Sequence, residues 1–134
     1  MSLVINTALL DRLTEQAKMS ERLRMNYDLR NSADDSSQRM LNAVEPGSEI
    51  PIHKHRYTSE TLTVLRGKVI VEFYDELERI CCATYEVYPG ASVCALNIPA
   101  GVWHTLKALE SGTVILEMKD GGYEPIAEDD IMQK

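Results

Sequence analysis

The sequence contains few cysteines and no long apolar run. Three of its 134 residues are cysteines, two of them adjacent at Cys81 and Cys82, and no Cys-x-x-Cys spacing occurs. We therefore expect buried free thiols in a reducing compartment, not a disulfide framework or a thiolate metal site. No stretch approaches the roughly 18 apolar residues of a membrane-spanning helix. The N-terminus also lacks the apolar core of a secretion signal. These absences predict a cytoplasmic protein with no membrane partner.

Positive charge is scarce as well. The chain has 14 lysines and arginines against 21 acids, which gives a formal net charge of -7. Binding to the phosphates of nucleic acids requires a basic stripe, and none of the charge runs is basic. The sequence thus predicts no nucleic-acid partner.

The length fits one domain that begins with a helix. A chain of this size buries about two thirds of the surface that its unfolded form exposes. Apolar residues recur at helical spacing over 7–20, and Asn6 is placed to cap that helix. We predict that 1–22 packs as a helical segment on a domain formed by 23–134.

The rest of the chain shows the two-residue period of strands. Turn signals such as Pro46-Gly47, Arg66-Gly67 and Pro89-Gly90 separate the apolar segments. The predicted strands are 23–30, 38–45, 50–55, 60–65, 68–74, 80–87, 93–98, 104–109 and 113–118. Because no helical pattern intervenes, we expect an antiparallel sandwich or small barrel. The acidic tail after Tyr123 is expected to pack only in part.

Two of the chain's three histidines, His53 and His55, are separated by one lysine. On a strand they would point to the same side, roughly 6 to 7 Å apart. The third, His104, follows a Pro-Ala-Gly turn. Every histidine therefore lies in one of two short segments, which favours a common site over independent structural roles.

These two segments resemble the motifs of a known superfamily. PGSEIPIHKHRYTSETLTVLRG (46–67) resembles, position for position, the first motif of the cupins, and PAGVWH (99–104) resembles part of the second. The resemblance implies an all-β fold, the cupin double-stranded β-helix, which is a small jelly-roll barrel, here with a short N-terminal α-helix.

The cupin resemblance also implies a metal site formed by His53, His55, Glu60 and His104. Three imidazoles and one carboxylate suit a divalent transition metal ion such as Fe, Mn, Ni or Zn. On an octahedral ion they leave about two positions open for a ligand. Glu60 could also serve as a catalytic base if it leaves the ion. The alternative is a barrel that has kept the spacing and lost the metal.

A narrower resemblance extends over most of the chain. RMNYDLRNSADDSSQRMLNAVEPGSEIPIHKH, PAGVWHTL and GTVILEMKDGGYEP look like the WbuC-type cupin fold metalloproteins. That resemblance implies a role in bacterial surface-polysaccharide (O-antigen) metabolism, without a substrate or reaction.

Strand parity and loop position select further residues that could contact a substrate. They are Arg24, Asn26, Arg39, Asn42, Tyr57 and Lys119. Arg39 can hold a carboxylate or phosphate through its bidentate guanidinium, or form a surface ion pair. Tyr57 can close over a ligand or remain an exposed loop residue.

Three functions are compatible with these patterns. The first is a metal-dependent enzyme, an isomerase or lyase, that acts on a sugar or sugar derivative. The second is an Fe(II)-dependent dioxygenase, and the third is a non-catalytic module that binds a sugar-like small molecule. The third is favoured by the shortage of acid or base residues in the motif loops. Exposed strand edges predict a homodimer.

Overall fold

One helix and eight strands account for most of the regular structure in residues 3–133, which are the residues that the computed structural model describes. Residues 1 and 2 of the predicted helical segment 1–22 and residue 134 of the predicted domain 23–134 lie outside this range. The elements are α1 (Thr7–Met19), β1 (Arg24–Asp28), β2 (Arg39–Val44), β3 (Glu60–Arg66), β4 (Val69–Tyr74), β5 (Cys81–Val87), β6 (Ala95–Ile98), β7 (Trp103–Ala108), β8 (Thr113–Lys119) and a 3-10 helix, Glu128–Asp130. Among the described residues, no helix has the length and apolar character needed to cross a membrane.

The strands form two antiparallel sheets that pack face to face. The larger sheet has the order β1-β2-β8-β3-β6, and the smaller has the order β5-β4-β7. Apolar side chains from both sheets fill the space between them, with Leu62, Val71 and Ile115 fully buried. This arrangement confirms the predicted all-β jelly roll with a short N-terminal helix.

Helix α1 covers the outer face of the larger sheet. Asn6 caps the helix, because its side-chain oxygen accepts a hydrogen bond from the Leu9 N–H at 3.0 Å. Leu13 and Ala17 are buried against Leu41 and other apolar residues of the sheet. The apolar side chains at helical spacing in α1 thus pack against the apolar side chains on the outer face of β2.

The predicted strand over 50–55 is wrong. Only His53 forms bridges there, one with His104 of β7 and one with Ile131. Pro51 has no N–H to donate to a ladder, and the chain bends at residues 56 and 57, so regular pairing stops after one residue. The segment is extended but not a strand, and it continues the smaller sheet beyond β7.

The end of the described chain pairs with the other edge of this segment. Met132 N–H donates to the Ile52 carbonyl at 2.8 Å, and Lys54 N–H donates to the Asp130 carbonyl at 3.0 Å. Met132 is buried beside Ile52 and Trp103. Residues 130–132 of the acidic tail therefore support the segment that carries two of the histidines.

The three cysteines are free but exposed, not buried as predicted. Cys81 and Cys82 begin β5, and Cys94 immediately precedes β6. Both strands lie at sheet edges, so no neighbouring strand covers these side chains.

Candidate metal centre and adjoining cavity

The fold brings all three histidines together. One potential ligand atom from each of His53, His55 and His104 lies within 4.8 Å of the others. Their ring centroids are 4.5 to 5.7 Å apart. His53 and His104 are held opposite each other by two backbone hydrogen bonds of 2.9 and 2.8 Å. His55 lies two residues further along the extended segment, on the same side as the sequence predicted.

Backbone carbonyls determine which ring nitrogen of two histidines is free. Nδ1–H of His53 donates to the Pro51 carbonyl at 2.8 Å, and Nδ1–H of His104 donates to the Val102 carbonyl at 2.9 Å. A carbonyl oxygen can only accept, so the proton of each neutral ring is on Nδ1. Nε2 then carries the lone pair that binds a metal ion.

Glu60 lies beside this group at the start of β3. Its Oε2 is 3.4 Å from Nε2 of His55 and 3.3 Å from Nε2 of His104. Burial alone would raise the pKa of Glu60, but the adjacent side chains of His104 and His55 lower that pKa well below its ordinary value. Glu60 is therefore an anion that faces imidazole nitrogens.

The protonation state of His53 matches the one that a metal ion requires. Burial, with a smaller effect from the charge of His104, lowers the pKa of His53 to about 4, so this ring is neutral at ordinary pH. A lone pair on Nε2 of His104 opposite the Glu60 carboxylate is repulsive unless a cation lies near both. Three imidazoles and one carboxylate fit a divalent transition metal ion. The four predicted ligands are thus assembled, while metal binding itself stays a prediction.

A cavity of about 340 Å³ adjoins the histidines. Four of the residues predicted to contact a substrate line it: Arg24, Asn26, Asn42 and Lys119. Asn26 and Asn42 are direct partners in the ladder between β1 and β2. Lys119 of β8 lies opposite Glu60 of β3 in the backbone register of these two strands. Strand parity therefore placed these four correctly, and their contact with a substrate stays a prediction.

Arg39 and Tyr57 lie outside this cavity. The Arg39 guanidinium is bound to the Asp35 carboxylate at 3.1 Å and to the Leu29 carbonyl at 3.3 Å. Arg39 is three positions from Asn42 in β2, so the two side chains point to opposite faces of the sheet. Tyr57 is 79% exposed and lines a separate hollow next to His55. The predicted substrate contact of Arg39 is thus replaced by the ion-pair alternative.

Glu117 is a cavity residue that the sequence reasoning missed. It is 7% exposed, and Oε1 accepts a hydrogen bond from Nδ2 of Asn42 at 3.4 Å. Burial, followed by the nearby charge of Glu60, raises the pKa of Glu117 to about 8. The signal was present, because Glu117 is two residues before Lys119 and must share its face of β8. The shortage of acid and base residues concerns the motif loops alone, because Glu117 of β8 adds a carboxyl to the cavity.

Solved structures of other proteins share this fold. They include capsular polysaccharide assembling protein CapF from Staphylococcus aureus, with a TM-score of 0.65 and 21% identity over 84% of this chain and 32% of CapF. A recombinant oxalate oxidase in complex with glycolate gives a TM-score of 0.63 and 16% identity over 81% of this chain and 56% of the oxidase. Peruvianin-I, a cysteine peptidase from Thevetia peruviana latex, gives 0.63 and 12% identity over 81% of this chain and 68% of that protein.

These likenesses establish the fold. The chain spans about a third of CapF and about half of the oxalate oxidase. Together with the two sheets and the motif spacing, they confirm the cupin double-stranded β-helix that the sequence predicted.

A family model covers more than half of the chain. Comparison with curated proteins finds no match. The model described as "Domain of unknown function (DUF6016)" matches residues 5–84, from the start of the helical segment into β5. The match includes His53, His55 and Glu60, whereas His104 lies beyond it. This chain, with its cupin fold, belongs to the DUF6016 family.

Proposed function

We propose that this chain is a metal-dependent enzyme that acts on a sugar or sugar derivative. The observation that carries the proposal is the position of the three imidazoles and Glu60. They converge at the wall of a cavity that is lined by polar and charged side chains together with apolar ones. A site of this kind can hold an ion and a small hydroxylated molecule side by side.

The ligand residues and the cavity residues have different roles in this proposal. His53, His55, Glu60 and His104 hold one divalent ion, Fe, Mn, Ni or Zn, which when bound supplies Lewis acidity toward a substrate oxygen. Glu60 is the sequence-predicted base, but it is committed to two imidazoles. Glu117 makes no contact with the histidines among the described residues and is in the cavity wall. We therefore assign proton transfer to the Glu117 carboxyl.

Two likenesses favour a carbohydrate substrate. The structural relative CapF is described as a capsular polysaccharide assembling protein. The motifs of this chain also resemble WbuC-type cupins, a family associated with O-antigen biosynthesis genes. Both support a place in surface-polysaccharide metabolism, and neither names the reaction.

Elemental analysis of the purified, untagged protein is the decisive experiment. Wild type is expected to carry about one transition-metal ion per chain, and His53→Ala and His104→Ala to carry far less. Lys107→Ala is the matched control, since Lys107 lies in the same strand as His104 with its side chain 64% exposed. Wild type that holds no metal and takes up none of Fe, Mn, Ni or Zn would refute the proposal. A metal-loaded protein is then assayed for sugar turnover before and after chelation.

The identity of the bound ion distinguishes the proposed sugar enzyme from an Fe(II)-dependent dioxygenase. Firmly bound Zn speaks against the Fe(II)-dependent dioxygenase, whereas Fe(II) together with oxygen consumption supports it. The non-catalytic binding module predicts saturable sugar binding with no turnover across a wide panel. Glu117 weakens the main argument for that module, because it adds to the cavity a carboxyl outside the four proposed ligands.

A further inference from the structure

Three unpaired cations surround the cavity. Among the described residues, eight of the lysines and arginines have a carboxylate within ion-pair distance. The remainder are Arg12, Arg22, Arg24, Arg79 and Lys119. Arg22, Arg24 and Lys119 line the same cavity beside the histidines. In a chain of net charge -7 with 21 acids, this grouping of unpaired cations indicates a place for an external anion.

Arg24 is held in position but not saturated. Nη1 donates to the Ser48 hydroxyl at 3.2 Å and to the Glu49 carbonyl at 3.1 Å. Its Nε and Nη2 have no hydrogen-bond acceptor among residues 3–133. Burial, and then repulsion by Arg22, lowers the pKa of Arg24. Two guanidinium groups thus face one end of the cavity without a counterion, with donors left that can bind a carboxylate or phosphate.

We propose that the Arg22 and Arg24 end of the cavity binds the anionic group of a hydroxylated ligand. The anionic group is a carboxylate or a phosphate, which present the same acceptor chemistry to a guanidinium. The inference rests on the proposed function only in taking this ligand to be the substrate. It narrows the substrate class to acidic or phosphorylated sugars and polyols.

Three probes with one carbon skeleton test the charge requirement. They are D-glucitol, which is uncharged, D-gluconate, which has a carboxylate, and D-glucitol 6-phosphate. Calorimetric titration of the full chain at matched ionic strength is expected to give at least one charged probe about tenfold tighter binding than D-glucitol. The charged probe that binds more tightly identifies the source of the anion. Equal affinity for all three, or no saturable binding of either charged probe, overturns the proposal.

Variants then locate the contact. Arg22→Gln is expected to weaken the charged probe about tenfold and to leave D-glucitol unchanged. The Arg22 side chain has no partner among the described residues, so its replacement is not expected to disturb the fold. Arg24→Gln is a less clean variant, because Arg24 also binds the Ser48 hydroxyl and its loss can loosen that loop. Arg12→Gln, an exposed helical arginine without an ion pair, is the control. An effect of Arg12→Gln as large as that of Arg22→Gln contradicts the assignment.

The same titrations in His53→Ala separate this inference from the metal proposal. If the anion binds the arginines, the preference for a charged probe persists without the metal ligand, and Arg22→Gln still abolishes it. If that preference disappears in His53→Ala while Arg22→Gln has no effect, the anion binds a metal ion instead and the arginine site is refuted. Absence of metal from wild type, with the charge preference intact, refutes the proposed function alone.

Discussion

Asn42 donates its side-chain N–H to Glu117 at 3.4 Å, across the ladder between β2 and β8. Glu60 lies beside the imidazoles of His55 and His104, whereas Glu117 does not. The two carboxyls of the cavity differ in pKa: it is lowered for Glu60, while burial and the charge of Glu60 raise it to about 8 for Glu117, against the lowering effect of the Asn42 bond. Divergent environments of this kind assign different roles to chemically identical groups.

Replacing Glu117 separates catalysis from metal binding. We expect Glu117→Gln to keep the wild-type metal content and to lower kcat about 10² to 10⁴-fold, the usual contribution of a positioned acid or base. Glu86→Gln, at a residue of β5 whose side chain is 55% exposed, is expected to behave as wild type. Metal analysis and turnover on the same preparations provide the measurement. Unchanged turnover in Glu117→Gln would remove this residue from the mechanism.

A bound metal is expected to stabilise the fold. An ion that binds only the folded state at a free concentration of 100 times Kd adds about 2.7 kcal/mol to the free energy of unfolding. For a chain of this size, that corresponds to a rise in Tm of about 8 to 10 °C. Differential scanning fluorimetry before and after chelation measures it. His104→Ala is the control, and its Tm is expected to be insensitive to metal; equal shifts in both proteins contradict binding at this site.

Gly67 supports the turn between β3 and β4 for two reasons. Its φ is +85°, and a Cβ added there would contact Thr113 Oγ1 and lie 2.6 Å from Thr113 Cα. Gly67→Ala thus combines left-handed strain of about 1 to 2 kcal/mol with overpacking of about 1 to 3 kcal/mol. Gly90→Ala has a similar φ of +82° but no atom within 4 Å, so it incurs the strain alone. Urea denaturation compares them, and equal losses would disprove the steric part.

Asp35 is expected to hold the 31–37 loop in a pH-dependent way. Hydrogen bonds from the N–H groups of Asn31 and Ser37, and from Arg39, lower the pKa of Asp35 below 3.8. Because the folded-state pKa is lowered, the stabilisation is present above pH 3.8 and is lost as pH falls through the folded-state pKa. NMR titration of the Asn31 and Ser37 amides between pH 6 and 2 detects the change.

Two variants complete this test. Asp35→Asn is expected to abolish the acid transition of the loop and to remove the ion pair with Arg39 at every pH. Asp34→Asn is the control, since Asp34 makes no side-chain hydrogen bond among the described residues. An acid transition that persists in Asp35→Asn would mean that another group controls the loop.

The sequence predicted most elements of the fold because each has a regular period. α1 and β1 to β8 all lie within two residues of their predicted bounds. The prediction of a strand at residues 50–55 is wrong, since alternation of side chains alone cannot distinguish an extended segment from a paired strand. The difference depends on partners that are remote in the chain, His104 and Ile131.

For the site, the spacing of the motif residues predicts which side chains come together, whereas nearness to the motif along the chain does not. All three histidines and Glu60 meet, because the motif encodes which strand each residue comes from. Arg39 was selected for being near the motif in sequence, although its parity places it on the opposite face from Asn42. Glu117 was passed over, although its parity equals that of Lys119. Consistent use of the two-residue period excludes Arg39 from the cavity face and includes Glu117.

The backbone pairing of His53 with His104 constrains the order in which the centre can be built during synthesis. The ribosome produces His53 and His55 well before β7, so the two imidazoles leave it without the strand that fixes their register. The segment around Ile131, which supports the opposite edge, follows later still. If the proposed metal centre forms, ion capture follows β7, and a nascent chain that stalls before β7 presents only His53, His55 and Glu60 of the four proposed ligands.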